Sequence, residues 1–254
     1  MIKEGGFKIN MNELKKLYRP AIFFIVVFIA MQIAVVAQVI EINYDFQRGN
    51  LGWTADFADY PPNIGTGYEL DAGIRFMPRK LTRMPKRGFY IQGHNRSADL
   101  FMFLKRRLAV EDGIVAGRNY LVEYVITLAS NAASGCAGIG GAPGESVYLK
   151  AGASSIEPLA VLQSNGYLRM NVDKGNQSQS GTAASVAGNI ANGIPCEQAS
   201  PFYPFATIQR FHQHKTNVTA NANGELWLLV GTDAGFEGLT RLYYQSIRVK
   251  LIPV

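Results

Sequence analysis

The chain has 254 residues, 48% hydrophobic and 17% charged, with a formal net charge of +6. This is an ordinary globular composition, long enough for one large β-sandwich or two small domains around a buried core. Residues 1–37 hold five Lys/Arg against two acids, so 38–254 keeps 20 basic and 17 acidic residues, a balance that argues against nucleic-acid binding.

The first element is an apolar run at 21–37, interrupted only by Gln32 and preceded by Lys15, Lys16 and Arg19. Charged-then-apolar order is that of a signal peptide. Val35 and Ala37 sit three and one residues before a cleavage point that leaves Gln38 as the new N-terminus. The run is long for a signal peptide and short for a spanning helix, so an uncleaved signal anchor is the alternative. The expected organisation is therefore 1–37 as an N-terminal hydrophobic targeting helix, cleaved or retained, and 38–254 as a single exported domain (periplasmic, secreted or cell-surface). Contact with a membrane is expected only through the N-terminal segment.

Beyond it, β-branched and aromatic segments alternate with turn-forming clusters. Residues 39–46 put Ile40, Ile42, Tyr44 and Phe46 on one face and Val39, Glu41, Asn43 and Asp45 on the other. Period-two patterning of this kind marks a half-buried strand. Further strands are predicted at 68–76, 89–93, 100–108, 120–130, 147–153, 167–172, 208–220, 225–231 and 242–251. Asn165-Gly166 and Asn223-Gly224 supply the positive φ angles of tight turns, which predicts hairpins around both. No helical period is sustained over four turns after residue 38, and about ten strands fit an all-β, two-sheet antiparallel β-sandwich of jelly-roll type.

The stretch 174–200 is rich in Gly, Ser, Ala, Asn and Gln and reads as a long excursion from the sandwich. Two cysteines, Cys136 and Cys196, are most simply one disulfide in an oxidising compartment. The basic cluster Arg75, Arg79, Lys80, Arg83, Lys86, Arg87 can meet an anionic surface, although a solvated loop is the commoner reason for such a run.

Both ends of 38–254 carry a recurring pattern: Tyr44-Asp45-Phe46 followed by Gly52-Trp53-Thr54, and Leu242-Tyr243-Tyr244-Gln245-Ser246-Ile247-Arg248-Val249. This resembles the opening and final strands of galactose-binding-like and carbohydrate-binding jelly rolls. The resemblance implies that the first and last strands pair, that carbohydrate is the ligand class, and that a structural Ca²⁺ lies beside those strands. Gln245 stands where the pattern's final-strand Asp falls.

Flat apolar rings stack on the C–H faces of sugars, which makes Trp53, Tyr60, Tyr68 and Tyr203 the expected ligand-binding residues; core packing competes for each of them. Asp56, Asp59, Asp233 and Glu237 lie in segments that read as loops, where carboxylates can cap their own turns, ligate Ca²⁺ or form the acid pair of a glycoside hydrolase, in that order of expectation. His212 and His214 share one strand face, where solvent exposure is the simplest reading and a metal pair would need a third ligand. No catalytic residue is assigned, and short signatures such as G-x-S-x-G and H-E-x-x-H are absent. The leading reading is an exported, non-catalytic sandwich that binds carbohydrate or another cell-surface ligand through its loops. A structural or adhesion component of the cell envelope and an extracellular glycan-active hydrolase are the alternatives.

Overall fold

Apolar alternation along the longest strands sets the architecture. In the computed structural model, which describes residues 38–62, 65–82, 84–96 and 99–254, β1 spans Ile40–Asp45, β2 Thr54–Ala58, β3 Asp71–Phe76, β4 Arg87–His94 and β5 Phe101–Leu108. They are followed by β6 (Asn119–Ser130), β7 (Val147–Ser154), β8 (Ala160–Leu162), β9 (Leu168–Met170) and β10 (Ser185–Asn189). The last four are β11 (Ala206–Gln213), β12 (Val218–Thr219), β13 (Leu226–Ala234) and β14 (Leu239–Pro253). The targeting segment at 21–37 and the boundary at 37 lie outside the described residues.

One sheet has seven strands, ordered β11-β6-β14-β4-β3, with β1 added beside β14 and β12 beside β6; the other has five, ordered β10-β7-β13-β5-β2. All pairings in both are antiparallel. Between them lies one core, to which β6 gives Tyr120, Val122, Tyr124, Ile126 and Leu128 and β13 gives Leu226, Leu228 and Val230. The stretch Val39–Val254 is a compact unit, and its described residues form this core. The chain is thus an antiparallel two-sheet sandwich of jelly-roll topology.

β14 organises the larger sheet. It pairs with β6 from Leu242 to Pro253, and on its other side first with β4 (Leu239 opposite His94) and then with β1 (Ser246 opposite Asp45 to Leu251 opposite Ile40). The first and last strands therefore pair as expected. The register shifts between Tyr244 and Ser246, so Gln245 is the extra residue of a bulge. Its amide donates to Thr207 Oγ1 at 2.8 Å, and the bulge keeps Tyr244, Ile247 and Val249 all facing the core.

The opening motif is core rather than surface. Trp53 is fully buried, edge-on to Tyr44 at 5.5 Å and to Phe46 at 6.3 Å. Arg106 locks this corner: its Nε donates to the Tyr44 hydroxyl, its Nη1 to the Leu51 carbonyl, and its guanidinium lies over the Tyr44 ring. Gly52 sits at φ +79°, where any side chain is strained, and a β-carbon there would also displace the Arg106 guanidinium.

Other expectations shift. Asn165-Gly166 closes the β8–β9 hairpin, but the turn at Asn223-Gly224 sends β12 and β13 into different sheets. The single strand expected at 208–220 divides into β11 and β12. The 174–200 excursion contributes β10, which pairs with β7, and a short helix at Cys196–Ala199.

Cys136 and Cys196 form a disulfide across a sequence separation of 60. Replacing both with Ser should lower the unfolding free energy by about 4 kcal/mol, the chain-entropy value for such a loop. Urea unfolding of both proteins checks this, and equal midpoints would contradict it.

Candidate functional site

The outer face of the five-stranded sheet is closed by the chain itself. The β8–β9 hairpin and the segment after it cover Phe101, Phe103 and Leu229, with Ala58, Ala184, Met170 and Val172 completing a second small core. That covering is fastened by charges. Lys150 on β7 is fully buried, and its ammonium donates to the carbonyls of Lys174 (2.8 Å) and Gln179 (2.9 Å) and pairs with Asp233 Oδ2 at 2.9 Å. Three partners match the three N–H bonds of an ammonium.

Lys174 Nζ lies 2.7 Å from Asp233 Oδ2 and 2.9 Å from Asp59 Oδ2. Arg169 Nη1 reaches Asp59 Oδ1 at 3.1 Å and Asp99 Oδ2 at 2.8 Å. Burial lowers the Lys150 pKa and raises that of Asp99. For Lys174, burial acts downward, but Asp233 and Asp59 outweigh it and its pKa rises. Asp173 shapes the loop by accepting from the backbone N–H groups of Thr182 and Gly175, which holds its own pKa low.

Oxygens of Asp59, Asp99 and Asp233 lie within 4.8 Å of one another, a donor set that can coordinate a hard divalent cation. Lys150, Lys174 and Arg169 already balance the three negative charges. Of the four acids expected at a metal, the structure brings Asp59 and Asp233 together and adds Asp99. Asp233 sits within β13, not in a loop, and Asp56 lies in β2, where its carboxylate accepts from Phe57 N–H. Glu237 belongs to the β13–β14 turn, with its backbone N–H bonded to Ile139.

The two histidines meet as their spacing implies, but they point inward. Ser185 Oγ is 2.8 Å from both His212 Nε2 and His214 Nδ1, and His214 Nε2 is 3.0 Å from the Thr182 carbonyl. A carbonyl only accepts, so neutral His214 donates from Nε2 and receives the Ser185 hydroxyl at Nδ1. The solvent-facing expectation fails because His212 and His214 continue the inward row of Ile208 and Arg210; His214 and Ser185 are fully buried. His94 lies apart from them, beside Glu69.

A pocket with exposed aromatic rings lies at one end of the sandwich. The segment following β6, the disulfide, the 201–203 turn and the start of β14 enclose about 430 Å³. Phe202 (85% exposed), Tyr203 (39% exposed) and Phe236 supply rings, and Asn131, Thr240 and Arg241 supply polar groups. Arg241 is the one charged residue among those lining it. The disulfide, the Ser134–Pro195 bridge and the Ser134 N–H bond to Ile194 hold the two loops together beneath the turn.

Of the four expected aromatic contacts, Tyr203 is at this pocket. Trp53 and Tyr68 are buried, which removes both from the surface. Tyr60 is half-buried, packed on Tyr68 at 5.2 Å and bridged to Leu168. Phe202 and Arg241 were not anticipated. The aromatic run Pro201-Phe202-Tyr203-Pro204-Phe205, beside a cysteine, was the available signal for Phe202.

Fold and site together define an antiparallel sandwich with an aromatic pocket at its loop end. No family model and no curated protein matches the chain. Among solved structures it is similar to TmCBM61 in complex with β-1,4-galactotriose (TM-score 0.36, 7% identity, 81% of this chain and 92% of that one). It is also similar to a xylan-binding domain from CBM 22 (0.34, 13%, 83% and 93%) and to the K1 cleaved adhesin domain of Lys-gingipain from Porphyromonas gingivalis (0.32, 13%, 83% and 96%). At these values the likeness assigns neither family nor ligand.

Removing one partner of the buried charges strands the others. Asp233→Asn should destabilise the domain by about 3–5 kcal/mol, read by urea unfolding, and a loss below 1 kcal/mol would contradict the network's role. Added Ca²⁺ should leave the wild-type midpoint unchanged, because the ammonium groups already neutralise the carboxylates.

His212 is held down to about 4 by burial, by His214 and by Lys215, against an ordinary value of 6.5. The unfolded chain takes up this proton near 6.5 and the folded one only near 4. Stability from this group is therefore complete above 6.5 and is lost as the pH falls towards 4. Unfolding midpoints of wild type and His212→Gln across that window should converge as the pH falls, and parallel curves would contradict it.

Proposed function

We propose that residues 38–254 form an exported, non-catalytic module that binds a glycan in the pocket at the loop end of the sandwich. The observation that carries this reading is the pair Phe202 and Tyr203, held on a disulfide-braced turn with their rings open to solvent beside Asn131, Thr240 and Arg241. Large exposed aromatic side chains are costly to leave in water and are characteristic of binding surfaces. Rings give flat apolar contact to the C–H face of a sugar, and the polar groups orient its hydroxyls.

Among the described residues no acid lines this pocket, so they offer it no carboxylate pair for glycoside hydrolysis. Asp59 and Asp99 come together elsewhere, but Arg169 binds both. The intrachain disulfide supports an oxidising compartment and thus export. Arg241, the one charge among the described lining residues, favours glycans carrying a carboxylate. Calcium has no part in this pocket, whose lining residues lack the carboxylates that a hard cation takes.

A glycan array on residues 38–254 tests this. Tyr203→Ala and Phe202→Ala should each weaken binding about tenfold or more without moving the unfolding midpoint. Arg241→Gln should weaken acidic glycans and spare neutral ones. Binding untouched by both aromatic substitutions would overturn the assignment, and a silent array with folded protein would favour a structural role in the cell envelope.

A further inference from the structure

The β3–β4 hairpin ends in a segment that the glycan pocket does not explain. Residues 75–87 hold six of the 20 basic side chains of 38–254 and none of its 17 acids, which leaves the rest of the domain with 14 basic against 17 acidic residues. Two basic residues serve the hairpin's base: Arg75 pairs with Asp71 and lies over the Tyr90 ring, and Arg87 donates to the Gln47 carbonyl. Arg79, Lys80 and Lys86 are exposed and have no ion-pair partner among the described residues. Beside them, Phe76 (67% exposed) and Met84 (73% exposed) hold apolar side chains in water. Met77 is buried and its N–H bonds to the Lys86 carbonyl, while Leu81 N–H bonds to the Pro78 carbonyl, so the residues flanking these groups are held in place.

A solvated loop accounts for the charges but not for a bare Phe and Met among them. A soluble polyanion would likewise use only the charges. Basic side chains with interspersed apolar ones are what an anionic bilayer surface accepts, the cations at the headgroups and the apolar groups at the acyl boundary. We propose that the β3–β4 tip docks the domain on anionic lipid membranes.

The topology gives this contact an orientation. β4 runs from Arg87, at the hairpin, to His94, which pairs with Leu239 at the glycan pocket. Eight residues of strand place the two surfaces roughly 25 Å apart. The chain enters the sandwich at Ile40, opposite Leu251, also towards the end away from Leu239. Docking through the tip therefore leaves the pocket facing away from the bilayer. The proposal does not depend on the glycan reading.

The test is co-sedimentation of residues 38–254 with vesicles of phosphatidylcholine alone and with phosphatidylglycerol added, alongside binding to dextran sulfate. Wild type should sediment with the anionic vesicles only. Lys80→Gln with Lys86→Gln should lower partitioning by roughly 20-fold, and Phe76→Ser with Met84→Ser should lower it several-fold while leaving dextran sulfate binding and the unfolding midpoint unchanged. These variants should bind glycans as wild type does, which separates failure here from failure of the pocket assignment. No sedimentation with anionic vesicles would overturn the proposal. So would full membrane binding by the Phe76/Met84 variant, which would reassign the tip to soluble polyanions.

Discussion

The ammonium group of Lys150 sits inside the protein with no exposure, gripped by two carbonyls of the segment that crosses it and by the carboxylate of Asp233. Burying such charges is expensive, and a pair of this kind contributes less to stability than to fixing a single arrangement. Its effect here is positional. It ties the loop beginning at Asp173 to the middle of β7 and the end of β13, and Lys174 and Arg169 extend the fastening to Asp59 and Asp99. Asp59 adopts a left-handed backbone, φ +64°, to take its place, a conformation that surrounding structure must enforce. With that face of the five-stranded sheet sealed by the chain, ligand contact falls to the ends of the sandwich and to the outer face of the other sheet.

The long strands decide what those ends look like. β14 has 15 residues and β6 has 12, and each is flanked on its outer side by two shorter strands laid end to end. This separates the loops at the Leu239 end from the hairpin tip and from the chain's entry at Ile40. At the Leu239 end, the disulfide and the Ser134–Pro195 bridge join two loops, so Phe202 and Tyr203 stand on a braced turn. Pre-organisation of this kind lowers the entropic loss on binding.

Much of the sandwich was legible where side chains alternate. The face of β1 follows directly from period-two patterning, whereas β14 switches parity at the Gln245 bulge, and the pairing of first and last strands follows the resemblance of their motifs. Three strands lie outside the predicted set, of which β8 was implied only by the Asn165-Gly166 hairpin. β2, Thr-Ala-Asp-Phe-Ala, looks like a loop with a carboxylate, and β10, Ser-Val-Ala-Gly-Asn, has weak strand propensity and exists because β7 offers it an edge. The ring candidates divided for a similar reason. Trp53 near a turn suggested exposure, yet the Arg106 clamp folds that turn back onto Tyr44 and Phe46. Local sequence carried no sign that Lys150 and Lys174 would meet Asp233, since the contact spans 59 residues for Lys174 and more for Lys150, and both depend on the assembled sheet. The histidines erred by parity: Ile208, two positions from Arg210 and four from His212, marked the inward row.

Hydrogen–deuterium exchange on residues 38–254, with and without a saturating glycan selected from the array, tests the placement of the ligand most directly. Binding at the loop end should slow exchange in the segment after Ser130, through the 194–203 turn and around Leu239, with the segment over Lys150 unchanged. Protection centred on the β8–β9 hairpin or on the outer face of β6 and β11, with the loop end unaffected, would contradict it.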